Sequence, residues 1–212
     1  MKVSTRSASY EHQLPATIVY QQLNNQLTVF LRTWGTSEYN QKVIDEITHY
    51  LSTTQADIEV TTPFDYLESL SSLANRTRVS LLLAHDLLYK TDNRNEYLVG
   101  FECLVLFKNK KELAWSSVGR FSISKIQNDR MNTIVSLGTD LDEEALLPVQ
   151  LMGLEKEITV VSGSISVNSD TKLVVASNFN SELKLSDGVG ISAIEVVPNN
   201  ATYWFSFVNA GG

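Results

Sequence analysis

Thr17-Ile18-Val19-Tyr20-Gln21-Gln22-Leu23 and Gln26-Leu27-Thr28-Val29-Phe30-Leu31-Arg32-Thr33, separated by Asn24-Asn25, decide the fold class. Both runs are rich in β-branched and apolar residues, the side chains that suit a pleated surface. Asparagine tolerates positive φ, so Asn24-Asn25 reads as a two-residue turn joining a β-hairpin. The second run is apolar on both faces, with Leu27, Val29 and Leu31 on one and Phe30 on the other. A strand of that kind belongs inside a layered structure.

Downstream the period changes from two to nearly four. Thr36 or Ser37 can cap a helix whose first turn holds Glu38, and Tyr39, Val43, Ile47 and Leu51 recur every four residues along it. A second helix is expected to start with Thr62 as cap and Pro63 at its first position. Its stripe runs through Leu67, Leu70, Ala74, Leu81, Ala84 and Leu88, with a possible break at Asn75. From Tyr97 strands return: Tyr97 to Phe107, Glu112 to Val118, Phe121 to Ile126, Ile158 to Val167, Leu173 to Ala176 and Thr202 to Val208. A short helix is expected near Leu183, and Lys108-Asn109-Lys110-Lys111 reads as a hairpin turn. Strands beside a helical pair give an α+β layered fold. Two antiparallel sheets stacked face to face, with helices outside, would account for strands apolar on both sides.

The chain has 212 residues, no internal repeat and no Pro/Gly linker, so one domain spanning Met1 to Gly212 is expected. Its net charge is -7 and it has no basic run, which argues against nucleic acid as a partner, since such binding needs Lys and Arg against phosphates. No segment approaches the ~20 consecutive apolar residues of a membrane span. The opening Met1-Lys2-Val3-Ser4-Thr5-Arg6 is polar, so a cytoplasmic location is expected.

The residues able to carry chemistry are scattered. His12, His49 and His85 do not pair at metal-ligand spacing and read as ordinary histidines. Cys103, the single cysteine, lies in an apolar strand and reads as a buried inert thiol. Asp140-Leu141-Asp142-Glu143-Glu144 lacks the glycine and spacing of a calcium loop and reads as a solvated loop. Trp34, Trp115 and Trp204 follow the strand pattern and are core candidates. No phosphate-binding glycine loop, zinc spacing or nucleophile elbow occurs.

The order of elements resembles the phosphatase 2C family of metal-dependent serine/threonine phosphatases. The matching stretches are Leu73-Ala74-Asn75 in the second helix, Leu98-Val99-Gly100-Phe101-Glu102-Cys103 where the family enters a strand through Gly-Thr-Thr, and Leu151-Met152-Gly153-Leu154. Val118-Gly119-Arg120 stands where the family writes Val-Gly-Asp, and Pro198-Asn199-Asn200-Ala201-Thr202 leads into the closing strand. The resemblance implies a four-layer αββα sandwich, two antiparallel sheets flanked by helices. It also implies a site for two divalent ions, Mn²⁺ or Mg²⁺, which need several carboxylate oxygens to hold them and activate a bridging water.

Carried over one at a time, the family's four metal-binding aspartates fall on His12, Thr33, Asn178 and Asn199. None is acidic, and a neutral amide oxygen is a poorer ligand for a hard dication than a carboxylate. The resemblance therefore implies a degenerate member: a pseudophosphatase without catalytic residues or bound metal, working as a protein-interaction or regulatory module, with another protein as partner and no membrane or nucleic acid involved. Two alternatives stand beside it. A rearranged metal site using Glu11, Glu38 or Glu102 would retain Mn²⁺- or Mg²⁺-dependent phosphatase activity. An N-terminal nucleophile hydrolase, the other αββα sandwich, would need cleavage before Ser4 or Thr5 to expose its nucleophile.

Overall fold

A computed structural model describes residues 1–8, 15–56, 62–136, 150–178, 182–188, 190–198 and 202–211. In chain order the strands are β1 Lys2–Ala8, β2 Thr17–Gln22, β3 Leu27–Gly35, β4 Val99–Lys108, β5 Glu112–Val118, β6 Ser122–Gln127, β7 Arg130–Ser136, β8 Val161–Ser166, β9 Lys172–Asn178, β10 Glu182–Leu185, β11 Ile194–Val197 and β12 Tyr203–Asn209. The helices are α1 Asn40–Ala56 and α2 Ser72–Leu87, so the class is α+β with two five-stranded antiparallel sheets. The residues group into two compact units, one of Pro15–Gly119 and Pro148–Ser166, the other of Met1–Leu14, Arg120–Leu147 and Val167–Gly212.

The first unit holds both α-helices and a sheet ordered β2-β3-β4-β5-β8. Alternation along each strand puts Leu27, Val29 and Leu31 of β3 and Phe101, Cys103, Val105 and Phe107 of β4 on one face. There they share a core with Val43, Ile47 and Leu51 of α1 and Ala74, Leu81 and Ala84 of α2. The expected stripe of α1 is thus its buried face. On the opposite face of the sheet Phe30, Leu104, Leu106 and Leu113 are fully buried too. Polar groups on the helix side are paired with one another: the Thr77 hydroxyl lies 2.8 Å from that of Ser116, which lies 2.8 Å from that of Ser162.

Three local expectations change here. The β2–β3 turn takes four residues, because Leu23, Asn24 and Asn25 all have positive φ and Gln22 pairs directly with Leu27. Leu23 leaves the strand and packs against the helix-side core. Helix α2 begins at Ser71, not Thr62: the Ser71 hydroxyl accepts from the Ala74 N–H at 3.1 Å. Asn75 is no break. Its Oδ1 accepts from the Leu67 N–H and its Nδ2 donates to the Leu67, Leu70 and Ser71 carbonyls, holding the preceding segment as a turn. The expected hairpin at Lys108–Lys111 is present, with Asn109 Oδ1 accepting from the Lys111 and Glu112 N–H groups.

The second unit has a sheet ordered β1-β12-β9-β6-β7 and a separate β10–β11 hairpin. One face carries Val174, Ala176, Tyr203, Phe205 and Phe207, clustered with Ile194 and Val196 of the hairpin. The residues near Leu183 are therefore strand, not helix. Leu183 and Leu185 alternate with Glu182 and Lys184, and Leu183 pairs with Val196. The other face is buried as well, at Leu173, Val175 and Val208, and the Trp204 ring meets Phe121 edge-on.

Candidate functional site

The end of β3 and the start of β4 hold Thr33, one of the four positions given by the resemblance, and Glu102, a ligand of the rearranged-site alternative. Register places Arg32 opposite Glu102, Thr33 opposite Phe101 and Trp34 opposite Gly100. Because side chains alternate, Arg32, Trp34 and Glu102 share the face away from the helices, and Thr33 points to the helix side.

On the first of these faces Glu102 is fully buried and Arg32 is 2% exposed. Glu102 Oε2 accepts from Arg32 Nη1 at 3.2 Å and from the Trp34 indole at 3.0 Å. The guanidinium donates further, from Nε and Nη2, to the hydroxyl of Thr17 on β2. A charge buried to this degree must be paired and hydrogen-bonded to be tolerated. Glycines make the space. Gly119 has φ +94°, and a Cβ there would stand 2.5 Å from Glu102 Cγ; a Cβ at Gly100 would stand 2.9 Å from Leu154 Cδ1.

On the helix side the Thr33 hydroxyl donates to Asn40 Oδ1 at 2.7 Å. Asn40, at the start of α1, is buried, and Thr36 caps the short 3₁₀ turn Ser37–Tyr39 before it. Thr33 is the position the resemblance gives to the second metal-binding aspartate. What it offers is a neutral hydroxyl tied to a neutral amide oxygen, a donor set that does not fit a pair of hard dications. Of the other three positions, His12 and Asn199 lie outside the described residues. Asn178 is placed by its backbone, opposite Tyr203 at the end of β9. Among the described residues no group of three or more His, Cys, Asp or Glu side chains is arranged to hold a metal ion. Glu38 is exposed on the 3₁₀ turn, and Glu11 and the Asp140–Glu144 run lie outside the described residues.

The remaining candidates have structural partners. His85 is buried; its Nδ1 accepts from the Gly153 N–H at 3.0 Å, and its ring stacks on Tyr89. Burial lowers its pKa from 6.5, opposed in part by the Lys156 carbonyl and Asp86. Cys103 is fully buried, and burial raises the pKa of its thiol. Trp115 and Trp204 are core, as expected, while Trp34 serves the Glu102 cluster. Two features escaped the sequence reading. One is the Arg32–Glu102 pair, whose signal was a charged residue inside each of two otherwise apolar strands. The other is Asn93, which uses its whole amide: Nδ2 donates to the Val99 and Gly153 carbonyls, and Oδ1 accepts from the Leu98 and Val99 N–H groups.

The fold these elements build is that of the phosphatase 2C-type serine/threonine phosphatases. A bacterial serine phosphatase aligns at a TM-score of 0.58 with 15% identity, covering 100% of this chain and 99% of its own. The catalytic domain of the serine/threonine protein phosphatase PstP, solved in complex with 2 manganese ions, aligns at 0.54 with 13% identity, covering 97% and 96%. The serine/threonine phosphatase Stp1 from Staphylococcus aureus aligns at 0.55 with 14% identity, covering 100% and 94%. No protein-family model matches the chain, and no curated protein matches it in sequence. Likeness at this level of identity is a likeness of fold. Among the described residues, no helix is long and apolar enough to cross a membrane.

Proposed function

We propose that this chain is a phosphatase 2C-like domain without phosphatase activity, acting in the cytoplasm as a regulatory module that binds another protein. The observation that carries this reading is Thr33. At a position where the fold's metal chemistry calls for a carboxylate, the hydroxyl is spent on Asn40 Oδ1. Glu102, one register step from Thr33 and on the other face of the sheet, supports the same reading, because its Oε2 already receives Arg32 and Trp34. With Thr33 neutral and Glu102 engaged on the opposite face of the sheet, too little negative charge is offered here to hold two ions and ionise water between them. The PstP catalytic domain binds two manganese ions on this fold; the present chain would bind none at the corresponding place.

The test is hydrolysis of para-nitrophenyl phosphate and of a phosphoserine peptide, with Mn²⁺ or Mg²⁺ added, alongside calorimetric titration with Mn²⁺. No turnover above buffer and no heat of binding are expected. Metal-dependent turnover that disappears on changing Glu11, Glu38 or Glu102 to Gln would overturn the reading in favour of a rearranged site.

A further inference from the structure

Of the four edges of the two five-stranded sheets, three are protected in recognisable ways. An edge strand offers a row of backbone N–H and C=O groups to any extended chain, and natural proteins blunt it with charge, bulges or poor strand formers. β1 carries Lys2 and Arg6. β7 begins with Arg130, and its pairing with β6 is irregular between Ile123 and Ser124. β8 is Val-Ser-Gly-Ser-Ile-Ser, with Gly163 lying under the Trp115 ring. β2 has none of these. Its sequence is Thr-Ile-Val-Tyr-Gln-Gln, strong strand formers in regular register with β3, and β3 is the one described strand that it pairs with.

Residues 13–31 contain no Asp, Glu, Lys, Arg or His, the longest such stretch in a chain of net charge -7. In β3 burial explains this. In β2 it does not, since Ile18 is 40% exposed and Gln21 is exposed. Two copies of an acidic protein repel over most of their surfaces, and here they would meet without charge.

The pattern of β2 also selects its partner. Two sheets joined edge to edge across a twofold axis keep the same face up, so residues of equal parity must stand opposite. With Val19 on the axis, Val19 faces its own copy, Ile18 faces Tyr20 and Thr17 faces Gln21. From Thr17 to Gln21 apolar meets apolar and polar meets polar, because these five residues are palindromic in polarity about Val19. We propose that β2 is a self-association edge: two copies of this chain pair β2 with β2 antiparallel about Val19, forming one continuous ten-stranded sheet. The inference is independent of whether the chain hydrolyses phosphate esters. One strand pair buries little surface, so the dimer is concentration-dependent.

Light scattering and sedimentation of the full chain over a concentration series test it, together with three variants. The average mass of the wild type rises toward that of a dimer. Ile18→Lys, at an exposed position, stays monomeric with unchanged circular dichroism and melting midpoint. Val19→Cys, oxidised under mild conditions, is trapped as a disulfide dimer, because the two positions face each other across the axis. Gln21→Cys is not, because in this register its two copies lie ~13 Å apart along the strands, beyond disulfide reach. Cys103 is fully buried and does not compete. A wild type that stays monomeric while the two cysteine variants cross-link equally slowly overturns the proposal. So does a dimer that survives Ile18→Lys, or binding of β2 only to an extended segment of a different protein.

Discussion

β4 and β12 are both central strands buried along almost their whole length, and they handle polarity in opposite ways. β12 places a single aliphatic hydroxyl, Ser206, among aromatic and apolar residues, and that hydroxyl lies 2.7 Å from the Thr5 hydroxyl on β1. β4 instead buries a carboxylate, Glu102, and answers it with a guanidinium and an indole from β3. A hydroxyl pair costs little to desolvate, whereas a buried ion pair repays its desolvation only where geometry and extra hydrogen bonds are complete. The difference teaches where the structure is constrained by chemistry beyond packing: at the end of β3 and β4, beside the Thr33 position, and not in the middle of β12.

Breaking the ion pair from one side is expected to have the largest effect. Glu102→Ala leaves the Arg32 guanidinium without its carboxylate, and a buried unpaired charge of this kind costs about 3–5 kcal/mol. Urea denaturation read by tryptophan fluorescence checks it. Replacing both partners, Arg32→Met with Glu102→Leu, is expected to restore most of that loss; a double variant as unstable as the single one would show that the glycine-lined space, not the charge, is what matters. Ser206→Ala in β12 is expected to cost only about 1 kcal/mol in the same assay, the net worth of an ordinary hydrogen bond. A cost matching that of Glu102→Ala would erase the contrast between the strands.

The smallest effect expected is on the pH slope of stability, through His85 in the unit that contains β4. Its folded pKa lies below 6.5 because burial disfavours the charged ring, with Lys90 acting in the same direction and the Lys156 carbonyl and Asp86 against it. The unfolded chain therefore takes up the proton first. The stabilisation is complete above pH 6.5 and is lost as pH falls from there toward the lower folded value. Protonation also turns Nδ1 from an acceptor into a donor facing the Gly153 N–H. Denaturation midpoints measured at descending pH should fall more steeply for the wild type than for His85→Gln.

Much of this was legible in the sequence where burial was one-sided and the period clear. Glu112 to Val118 is strand from end to end, and the stripe Val43, Ile47, Leu51 is the core face of α1. β1 and β7 were missed because edge strands need not alternate in polarity: Lys-Val-Ser-Thr-Arg-Ser-Ala and Arg-Met-Asn-Thr-Ile-Val-Ser are held by pairing with β12 and β6. A signal for β7 was present in Asn128-Asp129, whose positive φ values turn the hairpin. The start of α2 was misplaced because Thr62-Pro63 is a good cap locally, while Asn75 closes the turn at Leu67 from eight residues downstream. At the site, the neutral character of Thr33 could be read directly. The commitment of Glu102 could not, because it depends on a cross-strand register that places Arg32 opposite it.

Gly119 ties two distant parts of the chain together. With φ +94° and room for no Cβ beside Glu102, it admits no side chain while that glutamate keeps its place. In a randomised library screened for folded protein, codon 119 would stay glycine even where 102 is shortened to serine or alanine, because a Cβ at 119 would still stand 2.6 Å from the Cβ at 102 and φ +94° strains any side chain. The backbone at 119, and not the size of its neighbour, thus sets which residue can stand there.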